Sequence, residues 1–432
     1  MSDCICPPCG SAPIRGSADT VIAALAALVV VLGFALVRPR GWPEAIAAMP
    51  AAGLLIAFGV ISWHDAAAEV GRLLPVVGFL AAVLVLARLC DDEGLFHATG
   101  VAMARVSADS QHKLLAVVFV IAAATTAILS LDATVVLLTP VVLASVRALA
   151  VPPRAYAYAT AHLANSASLL FPVSNLTNLL AFTAAGMTFL HFTAVMALPW
   201  LAAIAVEFVL LRWFFGRDLS VKPRGEAVPE AAEVPVFVLV VLEATLVGFA
   251  VTSLFDISPA WAALAGAVVL GVRSLAQRRS TPAGILDALN VPFLAFVLCL
   301  GVVVDALMRH GLDEVMRAVL PTGTTLLALL GIAAVAAVLS NVVNNLPAVL
   351  VLLPLVAGGG GPAILAVLIG VNIGPNLTYV GSLANLLWRS VVHREGIPAG
   401  FAEFTKVGLF TVPLTLVASV GGLWCGLQLF GG

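Results

Sequence analysis

Two polar stretches of this chain could hold a small ligand or an ion. They run from Asn165 to Asn178 and from Asn372 to Asn385, and they align without a gap at a separation of 207 positions. Asn, Ser, Thr and Pro recur in both stretches, and the second adds Gly, whereas the sequence around them is almost entirely apolar. Paired polar interruptions of corresponding apolar segments are typical of the binding site of a secondary transporter.

Two further apolar segments carry a polar break. Residues 112–149 are interrupted at Ser130–Thr134, and residues 322–357 at Ser340–Pro347. Each is too long for one crossing of about 20 residues, so we predict two re-entrant hairpins with tips near mid-membrane. Unpaired backbone at that depth must face protein or water, so the four breaks are expected to surround one cavity. The candidate substrate or ion ligands are the polar side chains of these breaks: Ser130, Asp132, Thr134, Asn165, Ser174, Asn175, Asn178, Asn341, Asn344, Asn345, Asn372, Asn376, Thr378, Ser382 and Asn385.

Asp132 is the only acidic residue in the four breaks. An ionisable side chain inside a membrane is costly enough to indicate a function. We predict that Asp132 carries a proton or cation during transport, with His162 as a second candidate for proton coupling. The alternatives are that Asp132 caps the helix beginning at Ala133, that His162 only packs, and that the polar residues only join helices across the bundle. The charge run at 91–93 is interpreted as a solvated loop.

The composition indicates that the chain lies in a membrane. Of its 432 residues, 62% are hydrophobic and only 10% are charged, and the mean hydropathy is +1.11. A soluble domain needs about 25% charged residues, so we predict an all-α polytopic protein of the inner (plasma) membrane. The net charge of −2 and the scattered basic residues argue against nucleic acid as a partner.

The apolar runs predict the membrane elements. Residues 155–190 and 362–395 contain the two aligned stretches and are predicted to be spanning helices unwound at their centres. These two broken helices and eight further apolar runs make about ten spans, in addition to the two hairpins. The remaining predicted spans, of which the one at 258–272 is short, are 20–37, 44–62, 73–90, 193–214, 235–253, 258–272, 285–307 and 403–430.

The repeated elements and the loop charges predict two inverted repeats. Threading the chain from an external N-terminus puts 17 of the 21 Lys and Arg residues on one side, which the positive-inside rule makes cytoplasmic. Both termini are then external. The four basic residues on the external side are Arg15, Arg72, Arg309 and Arg317. The predicted units are an N-terminal tail at 1–19, accessory spans at 20–72, a first inverted repeat at 73–214, a cytoplasmic linker at 215–234, framework spans at 235–284 and a second inverted repeat at 285–432.

Cys4, Cys6 and Cys9 lie close together in the predicted N-terminal tail. Thiolates bind soft metal ions, so the three could clamp one. No His or second Cys pair completes such a site, and the other interpretation is a tail without a part in transport. We expect no resident metal and no cofactor.

Four strings of residues contain the polar breaks, at Leu129–Pro140, Val173–Asn178, Asn341–Leu350 and Gly374–Trp388. They resemble the arsenite/antimonite permeases of the ion transporter superfamily. The resemblance implies extrusion of arsenite or antimonite driven by the proton gradient, with a mobile transport domain that moves against a scaffold. A soluble ATPase subunit is compatible with it.

The chain departs from this family at three places. Family members often carry Asn-Asp at the first hairpin tip, where this chain has Leu131 and Asp132, and Asp where it has Asn165 and Asn372. With fewer carboxylates, Asp132 has to carry the proton alone, or coupling is to sodium or absent. The alternatives of the same fold are therefore a sodium/proton antiporter and a sodium-coupled dicarboxylate or organic-anion carrier. An intramembrane hydrolase would need an activated nucleophile, and no Gly-x-Ser-x-Gly element is present.

Overall fold

The computed structural model describes residues 18–37, 42–107, 109–221, 232–255, 257–312 and 319–431. All regular secondary structure in these ranges is helical. Nine helical stretches within them are long and apolar enough to cross a membrane, by length and composition. The predicted all-α polytopic membrane fold is confirmed. The three tail cysteines Cys4, Cys6 and Cys9 lie outside the described residues, as do Arg15, Arg317 and residues 222–231 of the predicted linker.

The first half of the chain contains two accessory helices followed by one complete structural unit. That unit comprises a long helix, a short helix, a hairpin, a broken helix and a final long helix. The helices are α1 (Ala18–Val37), α2 (Ala45–Ala57), α3 (Trp63–Asp92), α4 (Leu95–Val106), α5 (Gln111–Ile128), α6 (Leu131–Ala148), α7 (Arg154–Ser166), α8 (Leu176–Ala185) and α9 (Phe189–Phe214).

The second half begins with three connecting helices, the last of them short. A long helix, a hairpin, a broken helix and a final long helix then follow in the same order as in the first half. The helices are α10 (Val236–Leu254), α11 (Ala260–Ala276), α12 (Pro282–Ala288), α13 (Val291–Leu307), α14 (Leu326–Val343), α15 (Asn345–Val356), α16 (Gly360–Ile373), α17 (Leu383–Arg394) and α18 (Phe401–Phe430).

Both predicted hairpins are present. The arms α5 and α6 meet at the tip formed by Leu129 and Ser130, and the Ser130 hydroxyl accepts a hydrogen bond of 3.1 Å from the Ala133 amide. Ser130 rather than Asp132 is therefore the N-cap of α6, which corrects the capping alternative considered for Asp132. The arms α14 and α15 meet at Asn344, whose φ of +76° is rare for a residue with a side chain.

The two broken helices cross in opposite directions. Short 3₁₀ turns separate α7 from α8 and α16 from α17. The second half of the first broken helix, α8, packs against α16, whereas α7 packs against α17. Each half thus lies beside the opposite half of its counterpart, as an inverted repeat requires. The two long helices that end the units, α9 and α18, pack against each other. The exact unit boundaries stay predictions.

Some predicted elements have different bounds. Helix α3 begins at Trp63, ahead of the predicted span at 73–90, because the Ser62 hydroxyl caps its first turn by accepting from the Asp65 amide at 3.0 Å. Its early turns also contain an ion pair of Arg72 and Glu69, with Nε and Oε2 at 2.8 Å. The predicted span at 44–62 contains only the short helix α2. Helix α4 was not predicted, because it is too short for a span.

The charge run at 91–93 is not a solvated loop. Its first two residues are the last turn of α3, and Glu93 is only 5% exposed. One carboxylate oxygen of Glu93 accepts from the Ser274 hydroxyl at 2.6 Å, and the other accepts from Arg279 at 2.8 Å. The prediction of a solvated loop was wrong because the sequence pattern does not show that α11 brings these partners to the end of α3.

Candidate functional site

The four breaks meet around one central cavity, with a volume of about 60 Å³. Both hairpin tips and both broken helices contribute polar side chains to it. Among the described residues, those that line the cavity include no Lys and no Arg. The polar lining residues are Ser130, Asp132, Ser174, Asn175, Thr177, Asn345 and Ser382. The cavity therefore offers neutral amides and hydroxyls, together with one carboxylate.

Continuous helices contribute a purely apolar wall to the central cavity. Phe79, Leu80 and Val83 of α3 and Phe293 of α13 form this wall. These helices belong to the parts of the two units that precede the hairpins. The polar lining side chains come from the broken elements, which also contribute apolar ones.

Asp132 lies between the central cavity and a second, larger one. Its half-buried side chain, in the first turn of α6, contributes to the lining of both. The second cavity has a volume of about 260 Å³ and is also lined by Glu44, Arg88 and Asp287. A carboxylate in this position could exchange a proton with water in the larger cavity while facing a ligand in the smaller one.

The second halves of both broken helices begin with a side-chain cap at the central cavity. The Asn175 side-chain oxygen accepts from the Thr177 amide at 3.3 Å, and the Ser382 hydroxyl accepts from the Ala384 amide at 3.1 Å. Asn175 and Ser382 are equivalent positions of the aligned stretches. These caps satisfy amides that a helix start leaves unpaired.

The asparagines shared by the two stretches hold the crossing together. Asn165 donates to the side-chain oxygen of Asn385 at 2.8 Å, and Asn372 donates to that of Asn178 at 2.6 Å. These two bonds are equivalent under the 207-residue correspondence. None of the four residues lines the central cavity. Their predicted role as ligands is not tested by these contacts and stays a prediction.

The amides of Asn178 and Asn385 also close the 3₁₀ turns before them. Asn178 donates to the Ser168 and Phe171 carbonyls at 2.6 and 2.9 Å. Asn385 donates in the same way to the Pro375 carbonyl at 2.7 Å and the Thr378 carbonyl at 3.2 Å. Because these carbonyls lie where a helix is interrupted, the asparagines satisfy groups that would otherwise be costly to bury.

The remaining candidate residues lie around the central cavity without lining it. The buried Thr134 hydroxyl is 2.7 Å from that of Thr126. Thr378 donates to the side-chain oxygen of Asn341 at 2.7 Å. Asn344 donates to the Val380 carbonyl at 3.1 Å, which holds the second hairpin tip against the second broken helix.

Glu207 was not recognised in the sequence, although it lies next to the crossing. It belongs to α9 and is 1% exposed. It accepts hydrogen bonds from Ser166 at 2.6 Å and from the candidate residue Asn376 at 3.1 Å, and the Nδ1 atom of His162 is 3.6 Å from its Oε1 atom. The available signal was an acidic residue within the predicted apolar span at 193–214.

Comparison with known proteins gives the family of the chain. A family model described as citrate transporter matches residues 26–361. The chain belongs to this family of transporters. It is a multi-pass membrane transport protein, and its organisation in two repeated helical units agrees with that function.

Relatives of this transporter include proteins named arsenical pump membrane protein. The one from Yersinia enterocolitica is 28% identical over 411 residues, which cover 90% of this chain and 95% of that protein. The one from Escherichia coli K12 is 28% identical over 415 residues, which cover 91% and 96%. An uncharacterized transporter of Mycobacterium tuberculosis is 26% identical over 431 residues. The predicted resemblance to the arsenite/antimonite permeases is confirmed.

A solved structure with the same fold is the YdaH transporter of Alcanivorax borkumensis. The two chains superpose with a TM-score of 0.58 at 15% sequence identity, covering 96% of this chain and 99% of the other. At this identity the similarity concerns the fold alone.

Proposed function

We propose that this transporter extrudes arsenite or antimonite across the plasma membrane in exchange for protons, with Asp132 as the proton carrier. The observation that carries the proposal is the lining of the central cavity, whose described residues provide uncharged amides and hydroxyls, one carboxylate and no cationic side chain. Arsenous acid is an uncharged molecule with three hydroxyls at neutral pH. It needs neutral hydrogen-bond donors and acceptors, which are the groups that line this cavity.

The same lining disfavours an organic anion as the substrate. A citrate or dicarboxylate anion would meet the Asp132 carboxylate without a compensating Lys or Arg among the described lining residues. Two negative charges in one poorly solvated site repel each other strongly. A bound sodium ion could offset the repulsion, and for that reason the experiment below includes a sodium arm. The arsenical pump names of the relatives support the inorganic substrate.

The proposed membrane orientation gives the side of the membrane to which the larger cavity would open. The loop charges put both termini outside and residues 215–234 in the cytoplasm. The larger cavity is lined by Arg88, which this orientation assigns to the cytoplasmic end of α3. Arsenite would then enter from the cytoplasm through the larger cavity and reach the smaller one past Asp132.

Arsenite uptake into everted membrane vesicles tests the proposal. We expect an imposed proton gradient to drive uptake in the parent, Asp132→Asn to abolish it, and Asp287→Asn to leave it intact. Asp287 is the matched control, since it lines the larger cavity but not the central one.

The other outcomes separate the alternatives. Uptake of citrate in place of arsenite would reject the substrate, and uptake driven by sodium alone would reject proton coupling. Unchanged transport by the Asp132→Asn variant would reject the role of this carboxylate.

A further inference from the structure

We propose that the buried pair His162 and Glu207 is a second proton-binding site of the transporter, separate from Asp132. The inference rests on the proposed proton coupling and adds a carboxylate to it. The two side chains are 0% and 1% exposed, and His162 Nδ1 lies 3.6 Å from Glu207 Oε1. They join α7, which is half of a broken helix, to α9 of the same unit.

The imidazole of His162 lacks other partners in the described part of the chain. Both of its ring nitrogens are buried without a hydrogen bond. The ring packs near that of Phe404, at a centroid distance of 6.0 Å. A buried polar group without a hydrogen-bond partner is costly. The unpaired ring nitrogens of His162 therefore indicate that the pair binds a ligand, which we take to be a proton. An imidazolium would face the carboxylate with an N–H donor at Nδ1, and closure of the 3.6 Å separation would turn this contact into a charge-assisted hydrogen bond.

The partners of Glu207 leave its charge uncompensated when His162 is neutral. It accepts from a hydroxyl, that of Ser166 at 2.6 Å, and from an amide, that of Asn376 at 3.1 Å. The buried Glu93, in contrast, has two arginines within 4 Å, Arg279 at 2.8 Å and Arg273 at 3.6 Å. A buried carboxylate without a cationic partner is expensive in a membrane protein. Uptake of one proton changes the net charge of the pair from −1 to zero.

No other titratable group contacts the pair within the described residues. The helices that carry the pair, α7 and α9, pack against the hairpin arms α5 and α6, against α10, α16, α17 and α18, and against short 3₁₀ turns at Asp218–Ser220 and Gly374–Leu377. A metal ion is not indicated, because no cluster of three or more His, Cys, Asp or Glu was found among the described residues. The other titratable side chains of these elements are His112, Lys113, Asp132, Arg147, Arg154, Tyr156, Tyr158, His191, Arg212, Asp218, Glu243, Arg389, His393, Arg394, Glu403, Lys406 and Cys425.

Protonation of Glu207 would affect, through Asn376, the hydrogen bonds that join the two broken helices. The Asn376 amide donates to Glu207 Oε1 and to the His162 carbonyl, both at 3.1 Å, and its oxygen accepts from Asn165 at 2.9 Å. Asn165 in turn donates to Asn385. A proton bound at Oε1 makes this oxygen an O–H donor toward His162 and a weaker, uncharged acceptor, so one of the two hydrogen bonds donated by the Asn376 amide is weakened. The proton is therefore linked to the hydrogen bonds that join the two broken helices.

Thermal stability of the purified full-length protein in detergent, measured between about pH 5 and pH 8, tests the site without requiring transport. We expect the difference in melting temperature between the parent and Glu207→Gln to change with pH. Glu93→Gln is the matched control, since it also alters a buried carboxylate that accepts from a serine. Its difference from the parent should change less with pH, because two arginines compensate the Glu93 charge.

A second variant keeps the carboxylate. Ser166→Ala removes the hydroxyl that donates to Glu207 at 2.6 Å, so the difference in melting temperature between this variant and the parent should also change with pH. A purely structural role would give a constant offset at every pH in both Glu207→Gln and Ser166→Ala, and that result would overturn the inference.

Transport gives an independent readout. Proton-driven arsenite uptake by Glu207→Gln should fall by roughly tenfold or more, within the usual range of coupling between sites. Uptake with an unchanged rate and pH profile would overturn the inference. A parent that moves arsenite with neither gradient would instead reject the proposed function, and the melting experiment would still decide whether His162 and Glu207 bind a proton.

Discussion

Replacing Asn178 by Ala should destabilise the crossing of the broken helices. The substitution removes the amide that donates to the Ser168 carbonyl at 2.6 Å and to the Phe171 carbonyl at 2.9 Å. It also removes the oxygen that accepts from Asn372 at 2.6 Å. Alanine cannot replace any of these three bonds, and the two carbonyls stay buried at an interruption of the helix.

The magnitude follows from the number of bonds lost. A buried hydrogen bond contributes about 0.6 to 1.5 kcal/mol in a membrane protein or a protein core. Three of them give a loss of about 2–4 kcal/mol in the free energy of unfolding. The equivalent variant Asn385→Ala also loses three bonds, two to the carbonyls before it and one from Asn165. We therefore expect the two variants to be destabilised to a similar degree.

Thermal denaturation of the purified variants in one detergent at one pH is the assay. Asn345→Ala is the matched control, because its amide lines the central cavity and makes no side-chain hydrogen bond within the described residues. It removes the same atoms at a cost below about 1 kcal/mol. We expect Asn178→Ala and Asn385→Ala to melt well below the parent, and Asn345→Ala to melt close to it.

Two outcomes would refute this reasoning. Equal melting temperatures of Asn178→Ala and Asn345→Ala would mean that the hydrogen bonds of the crossing contribute nothing measurable. A large difference between Asn178→Ala and Asn385→Ala would mean that the two halves of the crossing are not energetically equivalent.

Two further predictions concern close packing. Gly408→Ala in α18 should lower stability by about 1–3 kcal/mol, because its methyl group would collide with the Asn376 carbonyl. Gly421→Ala in the same helix is the control, since its methyl group meets no neighbour and should not lower stability. Melting temperatures of the two variants test this prediction. Exchanging equivalent residues of the two stretches should have unequal effects. Ser174→Gly loses one hydrogen bond of 2.7 Å, at a cost of about 1 kcal/mol. Gly381→Ser puts a Cβ atom 2.5 Å from the Cα atom of a neighbouring proline, so it should reduce the yield of folded protein. Equal yields of the two exchange variants would contradict the packing argument.

The sequence was sufficient to predict the hairpins and the broken helices. Polar residues such as Ser130 and Asn344 interrupt long apolar runs, and lipid does not tolerate such an interruption unless the backbone turns there. It was less informative at the ends of helices. The start of α3 was missed because Glu69 and Arg72 resemble loop residues, and their pairing within the helix is not visible in a hydropathy pattern.

The candidate site was only partly predictable. The residue types of Asp132 and Asn175 indicated a polar cavity, and both line it. Asn178, however, has the same side chain as Asn175, and its partners are carbonyls and another asparagine. The partner of an amide depends on which segment crosses it, which a linear pattern does not contain. Glu207 was missed for the same reason, since a single acid in an apolar span acquires meaning only from the helix packed against it.

The apolar wall of the central cavity has a mechanical consequence. Its side chains, Phe79, Leu80, Val83 and Phe293, have no hydrogen-bond donor or acceptor. Contacts that they make with the broken elements are therefore dispersion contacts, which do not require one fixed alignment. The two broken helices, in contrast, are joined to each other by directional bonds such as that from Asn165 to Asn385. Translation along the apolar surface breaks none of those bonds. We therefore expect both broken helices to travel as one body along α3 and α13, so that the cavity is uncovered by sliding and the crossing itself stays closed.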